Sequence, residues 1–311
     1  METEKITAKS EHSAMNSYRE DRLRRFVLEC ETDFEKRLSK TSEEVCSASG
    51  IRFITLSGPT CSGKTTAAKK IVEDIEKRNK RAHVISIDDF YYDKEILHQR
   101  TGYNNGGKID YDSVNTIDLD TLGRFVEDIY RYEEIFSPIF DFKSGQRAGT
   151  RKLTCKEQDI FIFEGIQALY PEVTSLFGDK KYVSVYIAPQ RSVSAGARSF
   201  EPNELRFLRR IVRDENFRGT SAEFTFELWK SVRENEEAHI FPYVDACMFK
   251  IDSSFDYEIG ILKPYLMRAL SGISPNSKFR AEADSIIEKI SGAEEIPVEY
   301  LSPNSLYREF V

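Results

Sequence analysis

The run Gly58-Pro59-Thr60-Cys61-Ser62-Gly63-Lys64-Thr65 fits the pattern G-x-x-x-x-G-K-[ST], in which a glycine-rich backbone wraps a polyphosphate. A β-rich apolar run, Ile51 to Leu56, precedes it. Thr66 to Val72 follows with helix-forming residues and apolar positions at helical spacing. Strand, loop and helix start in that order turn backbone N–H groups and the positive helix end toward phosphate oxygens. Lys64 can then reach the outer phosphates, the Thr65 hydroxyl can ligate Mg²⁺, and Thr66 closes the loop. A bare surface loop would not need these flanks, so the chain is read as binding a nucleoside triphosphate.

Two acids follow later strands. Ser86-Ile87-Asp88-Asp89 ends a second apolar run, and a carboxylate there can accept a hydroxyl proton or hold Mg²⁺ through water. Asp88, directly after the apolar residues, is preferred to Asp89; the plain alternative is an N-cap or turn role. Glu164 closes Ile160-Phe161-Ile162-Phe163 and is a second candidate for the metal, against a solvated strand-end acid. Arg206, Arg209, Arg210 and Arg213 fall at i, i+3, i+4 and i+7 on one helix face, with Arg218 beyond. Guanidinium forks suit phosphoryl oxygens, although such a run is also what a solvated face paired with Asp214 and Glu215 looks like. His83 lies inside an apolar run and reads as a core or edge residue. His12, His98 and His239 form no metal-ligand motif. Cys61 needs only to be small, and Trp229 reads as packing.

These residues require an alternating scaffold. β-rich runs at Ala82 to Ile87, Asp159 to Phe163, Tyr182 to Ile187 and Ala246 to Ile251 join the first. Helical patterns cover Lys64–Asn79, Asp118–Glu133, Asn203–Phe217, Ala222–His239 and Tyr257–Leu270. The expectation is an α/β, P-loop NTPase fold: a mostly parallel five-stranded sheet covered by helices on both faces, with an α-helical arginine-rich lid at about 200–220. In such sheets ligands gather at the carboxyl ends of the strands. Residues 1–20 read as a disordered leader and 21–49 as a helical extension. The phosphate-loop domain is expected over 50–271, and a C-terminal helix and tail over 272–311.

Composition sets outer limits. Of 311 residues, 40% are hydrophobic and 31% charged, enough for a buried core. The net charge of −7 argues against an extended nucleic-acid surface. The five cysteines, Cys30, Cys46, Cys61, Cys155 and Cys247, include no C-x-x-C pair, so neither a disulfide framework nor a zinc site is expected. No run nears the ~18 apolar residues of a membrane span, and the polar N-terminus is no signal peptide, so a cytoplasmic setting is expected.

From Ile51 to Leu270 the sequence resembles the uridine kinase and phosphoribulokinase family of phosphate-loop kinases. The blocks GPTCSGKTT, SIDDFYYD, IFEGIQALY and LRRIVRD carry the likeness. PIFDFKSGQR at Pro138, RGTSAEFTFELWKSVRENEEAHIFPYVDA at Arg218 and PNSLYREF at Pro303 are similar to a bacterial nucleoside (uridine) kinase-like branch. Members of that branch often carry an N-terminal ubiquitin-like domain, which is not expected in the roughly fifty residues before the loop.

The resemblance implies Mg²⁺-dependent transfer of the ATP γ-phosphate to a nucleoside 5′-hydroxyl. Lys64 and Thr65 would hold phosphates and metal, Asp88 would be the base, and Glu164 a metal partner. Asp112 would grip the ribose hydroxyls, with Tyr111, Phe140 and Arg218 on the acceptor, and Arg210 and Arg213 would be lid arginines. Three positions depart from true uridine-cytidine kinases: Gly145 stands where they have a histidine on the pyrimidine, Thr220 where they have an arginine, and Leu228 where they have a glutamine. Two rivals therefore stand beside nucleoside phosphorylation. One is a kinase of a sugar phosphate, glycerate or pantothenate-like hydroxyl. The other is an ATP-binding regulatory or RNA-linked module with little turnover. The partners expected are ATP and a small-molecule acceptor, without nucleic acid or membrane; a homo-oligomer is compatible with the sequence.

Overall fold

Gly50 is the first glycine or proline of the chain, and everything before Ala48 that the structure describes is one helix, α1 (Glu2–Ser47). With no breaker present, it runs straight through the stretch whose polar composition suggested a disordered leader. The computed structural model describes residues 2–100 and 112–311, with side chains from residue 19 onward. Tyr111, one of the acceptor residues the resemblance implies, lies outside the described residues.

The further elements, in chain order, are β1 (Phe53–Ser57), α2 (Lys64–Lys77), β2 (Ala82–Ser86), α3 (Lys94–Arg100), α4 (Leu119–Arg131), β3 (Glu134–Asp141) and β4 (Gln146–Thr154). Then follow β5 (Ile160–Glu164), α5 (Pro171–Thr174), β6 (Tyr182–Ala188), β7 (Val193–Ala195), β8 (Arg198–Phe200) and α6 (Pro202–Arg218). Last come α7 (Ala222–His239), α8 (Phe241–Val244), β9 (Phe249–Asp252), α9 (Glu258–Ser271) and α10 (Arg280–Ser291). All five expected core strands are present. The antiparallel ribbons β3–β4 and β7–β8 are additions that the sequence reading did not contain. Among the described residues no helix is long and apolar enough to cross a membrane.

The chain forms two compact units. One, here the sheet unit, comprises Arg37–Gln190 with Phe224–Ser253; the other, the terminal unit, comprises Met1–Lys36, Arg191–Glu223 and Ser254–Val311. In the sheet unit the strand order is β2-β5-β1-β6-β9, every pairing parallel. Side chains alternate across it. Phe53, Ile85, Phe161 and Phe163 form one apolar cluster with Leu122, Phe125, Val126 and Ile129 of α4. Ile54, Leu56 and Ile162, out of phase with these, are also fully buried, and α2 packs on β1, β2 and β5 through a face that buries Ala67, Ala68, Ile71 and Ile75. Each of the larger of these side chains, Leu, Ile, Val and Phe, contributes roughly 1.5–3 kcal/mol by leaving water, which is what holds β1 rigid beneath its loop. The C-terminal part of α1 is tied to α2: Ser39 Oγ donates to Asp74 at 3.0 Å, and Lys80 Nζ donates to the Cys46 carbonyl at 2.8 Å. His83 stacks on Phe161 and pairs with buried Asp159 at 3.0 Å, a structural role.

The terminal unit packs α6 on α9 and α9 on α10. Its core takes Leu205, Leu208, Ile211 and Val212 from α6, Ile259, Leu262 and Leu266 from α9, and Leu306, Tyr307 and Phe310 from the C-terminal tail.

Candidate active site

The loop between β1 and α2 is shaped by two left-handed residues. Gly63 caps α2 at φ 89°, and Cys61 sits at φ 58°, a conformation that costs a residue with a Cβ roughly 1–2 kcal/mol. Left-handed steps of this kind gather successive backbone N–H groups into an anion-binding concavity. Gly58 has a different reason: a Cβ there would stand 2.1 Å from the carbonyl oxygen of Ile187 in β6, so only glycine fits. Lys64 Nζ folds back to the carbonyls of Gly58 and Pro59 at 2.8 and 3.2 Å, which places its charge over the loop. Thr65, at the second position of α2, is exposed to solvent.

Strand register brings the acids to the same edge. Leu56 and Ser86 are both paired with Glu164, so the chain leaves β1, β5 and β2 side by side at their carboxyl ends. From β2 it enters a 3₁₀ turn, Ile87–Phe90, that carries Asp88 and Asp89. Their roles separate here. Asp89 accepts a hydrogen bond from the Phe140 amide of β3 at 3.0 Å. Asp88 instead receives the Tyr91 hydroxyl and feels the charge of Lys64. Burial raises the Asp88 carboxyl above its ordinary value, against the opposing pull of Lys64 and Tyr91.

Tyr91 joins several site residues. Gln167 Nε2, just after β5, donates to its hydroxyl at 3.2 Å, and that hydroxyl in turn serves Asp88. Burial, with the charges of Asp88 and Asp112 nearby, holds Tyr91 well above the usual phenol range, so it stays a proton donor. Asp112 is therefore drawn into the same group, its backbone carbonyl accepting from the Tyr170 hydroxyl at 3.0 Å. Phe140 is 6% exposed and packs edge-on against Tyr91 and Phe142; Phe142, 64% exposed, is the aromatic that faces solvent.

The β3–β4 ribbon braces this turn. Arg147 donates to the carbonyls of Tyr91 and Phe90 and to Asp118, at 3.1, 3.2 and 3.0 Å, and its amide donates to Asp93 at 2.8 Å. Gly145, in the ribbon's turn, has φ 71°, and a Cβ on it would press Lys94 at 3.2 Å. Tyr91, Gln167 and Arg147 lie within the blocks SIDDFYYD, IFEGIQALY and PIFDFKSGQR, but nothing in those blocks singles them out. Apart from Asp88, three positions before Tyr91, the hydrogen-bond partners named for them lie 29 to 76 positions away, which local pattern does not reveal.

The arginine helix α6, in the terminal unit, divides its charges. Arg206 and Arg209 are buried; Arg206 donates to Asn203 at 3.0 Å and Arg209 to Glu258 at 2.9 Å. Arg210 and Arg213 stay half-buried on Asp214, at 3.2 Å and at 2.8 and 2.6 Å, while Arg218 approaches the same carboxylate at 3.6 Å. Three guanidinium groups thus converge on one acid, and guanidinium forks are suited to phosphoryl oxygens.

No set of three or more His, Cys, Asp or Glu converges on a metal position among the described residues. The candidate donors Thr65, Asp88 and Glu164 are all oxygens and few in number. That fits a hard cation such as Mg²⁺, which takes one or two carboxylates and leaves the rest to phosphate and water.

A parallel sheet with a glycine loop leading from its central strand into a helix, and acids at the ends of the two strands on one side, defines an α/β phosphate-loop NTPase fold. A profile of the Phosphoribulokinase / Uridine kinase family matches residues 53–256, and the chain belongs to that family. It is an ATP-dependent kinase with a hydroxyl acceptor. It is 30% identical to a uridine kinase of Ureaplasma urealyticum over 58% of this chain and 76% of that one. It is 29% identical to a uridine kinase of a Geobacillus strain over 58% and 74%. Among solved structures, D-glycerate 3-kinase of Cryptococcus neoformans aligns with a TM-score of 0.40 and 14% identity, covering 67% of this chain and 86% of that one.

Proposed function

We propose that the protein transfers the γ-phosphate of ATP to the 5′-hydroxyl of a nucleoside of the uridine or cytidine type. The observation that carries this reading is the chain of interactions from Lys64 to Asp88, from Asp88 to the Tyr91 hydroxyl and from Tyr91 to Asp112, beside the phosphate loop. The loop amides and Lys64 bind the β- and γ-phosphates. Asp88, oriented by Tyr91, accepts the hydroxyl proton as the oxygen attacks phosphorus in line and the bond to the β-phosphate oxygen breaks, leaving ADP. Asp112 orients the acceptor through its ribose hydroxyls. Arg210 and Arg213 offset charge on the moving phosphoryl group, and Arg218 approaches the phosphates or the acceptor. Thr65, Glu164 and Asp88 would hold Mg²⁺, which supplies positive charge to the phosphate oxygens when bound.

One observation favours a second reading, a non-nucleoside hydroxyl acceptor. Gly145 brings no side chain to the ribbon's turn, its backbone is left-handed at φ 71°, and a Cβ there would stand 3.2 Å from Lys94 Cβ.

ADP release from Mg·ATP with a panel of nucleosides, sugar phosphates and small hydroxy acids decides between them, with Asp88→Asn as control. Asp88-dependent turnover of uridine or cytidine is expected. Turnover confined to a non-nucleoside moves the acceptor, and tight ATP binding with no turnover anywhere overturns the kinase reading for this chain.

A further inference from the structure

The C-terminal tail grips the arginine helix at two points. At its middle, Glu258 of α9 is fully buried and accepts from Arg209 Nε at 2.9 Å, from the Phe255 amide at 3.2 Å and from the Tyr307 hydroxyl. The Arg209 guanidinium also lies over the Tyr307 and Phe310 rings, 5.2 and 5.7 Å from their centroids. Farther along, Asn216 donates through Nδ2 to the Phe310 carbonyl at 2.9 Å and accepts through Oδ1 from Arg268 at 2.7 Å. The tail is itself anchored, since the Ser302 amide donates to buried Glu31 at 3.3 Å and Arg24 covers the Tyr300 ring at 4.1 Å.

Arg209 and Asn216 are seven residues apart, about two helical turns, and so lie on one face of α6. Arg210 and Arg213 fall between them. A helix held at two points two turns apart can neither rotate nor slide without breaking a buried contact. We propose that Tyr307 is a positioning residue for Arg210 and Arg213, the tail fixing the rotation and register at which α6 presents them. This rests on the reading of these arginines as phosphoryl clamps. The plainer alternative is that Tyr307 and Phe310 only fill the core. The Tyr307 hydroxyl separates the two, because Tyr307→Phe keeps the ring packing and leaves Glu258 one donor short.

The test compares ADP release from Mg·ATP, with uridine and without acceptor, in Tyr307→Phe, in Arg210→Ala/Arg213→Ala and in the combined variant. Tyr307→Phe is expected to lower kcat roughly tenfold while KM for Mg·ATP changes less than about twofold, the pattern of a misplaced transition-state group. In the double-arginine background it should cost less than about twofold more, because the groups it acts through are gone. Should Tyr307→Phe fail to fold, Asn216→Ala removes the other grip and should give a smaller loss, about threefold, with the same dependence on the arginines. Native kcat in both Tyr307→Phe and Asn216→Ala, or an undiminished loss in the arginine-free background, overturns the proposal. Normal turnover by Arg210→Ala/Arg213→Ala would instead remove the reading of the arginines themselves.

Discussion

The α-carbon of Gly58 faces the Ile187 carbonyl so closely that a Cβ would lie 2.1 Å from that oxygen. The start of the phosphate loop is thus wedged against the backbone of β6, and neither side is a flexible side-chain end that could swing away. Gly58→Ala should push the loop off its strand. We expect at least a tenfold weaker affinity for ATP, measured by isothermal titration calorimetry, together with a lower Tm, since overpacking of this kind costs roughly 1–3 kcal/mol. Native affinity would show that the loop can shift without consequence.

Asp88 should oppose stability while serving turnover. Burial raises its carboxyl above the ordinary value of 3.8, so carrying the charge costs the folded state. That cost is present at neutral pH and disappears as the pH falls through the raised value, where the folded-state carboxyl takes up its proton before the unfolded one does. Asp88→Asn should therefore raise Tm at pH 7, and the difference from wild type should narrow on acidification. Turnover by the same variant should fall roughly a hundredfold or more. Thermal melts from pH 7 downward and a steady-state assay check both halves.

Asp214 holds Arg210 and Arg213 with its own side chain only 6% exposed. Asp214→Ala would leave two half-buried guanidinium groups without their shared acid. Breaking a buried pair by removing one partner costs roughly 3–5 kcal/mol. Urea unfolding should register a loss of that order with an unchanged m-value; a loss below about 1 kcal/mol would mean that solvent takes over the arginines.

Placing at Gly145 the histidine that the resemblance gives to uridine-cytidine kinases should not create a base contact. The backbone there sits at φ 71°, and the space a Cβ would take is bounded by Lys94. Gly145→His is expected to cost roughly 1–2 kcal/mol in stability through the left-handed strain and to leave the ratio of uridine to cytidine kcat/KM within about threefold of wild type. A large, selective gain for one pyrimidine would show that the ribbon turn can rearrange to present a side chain.

The expected strands and helices were legible wherever local pattern sufficed. The helix over Lys64–Lys77 follows Gly63 and keeps Ala67, Ala68, Ile71 and Ile75 on one face, and Ile160–Glu164 is a bare apolar run closed by an acid. The β3–β4 ribbon was not legible because β4 is solvent-exposed along most of its length and so lacks the apolar alternation that marks a half-buried strand. Helical spacing likewise put Arg206, Arg209, Arg210 and Arg213 on one face. Burial then split that face between Arg209 on Glu258 and Arg210 on Asp214.

The sequence by itself determined the phosphate loop, the acid at the end of each neighbouring strand and the alternation that makes a parallel sheet, because each depends on residues a few positions apart. Only the tertiary structure decided that Asp89 is tied to β3 while Asp88 stays beside Lys64, that Gln167 and Tyr91 orient that acid, and that the last residues of the chain hold the arginine helix. Those facts depend on burial and on partners distant in sequence. The energy of a buried charge or hydroxyl is set by the groups that surround it, and chain order does not state which groups those are.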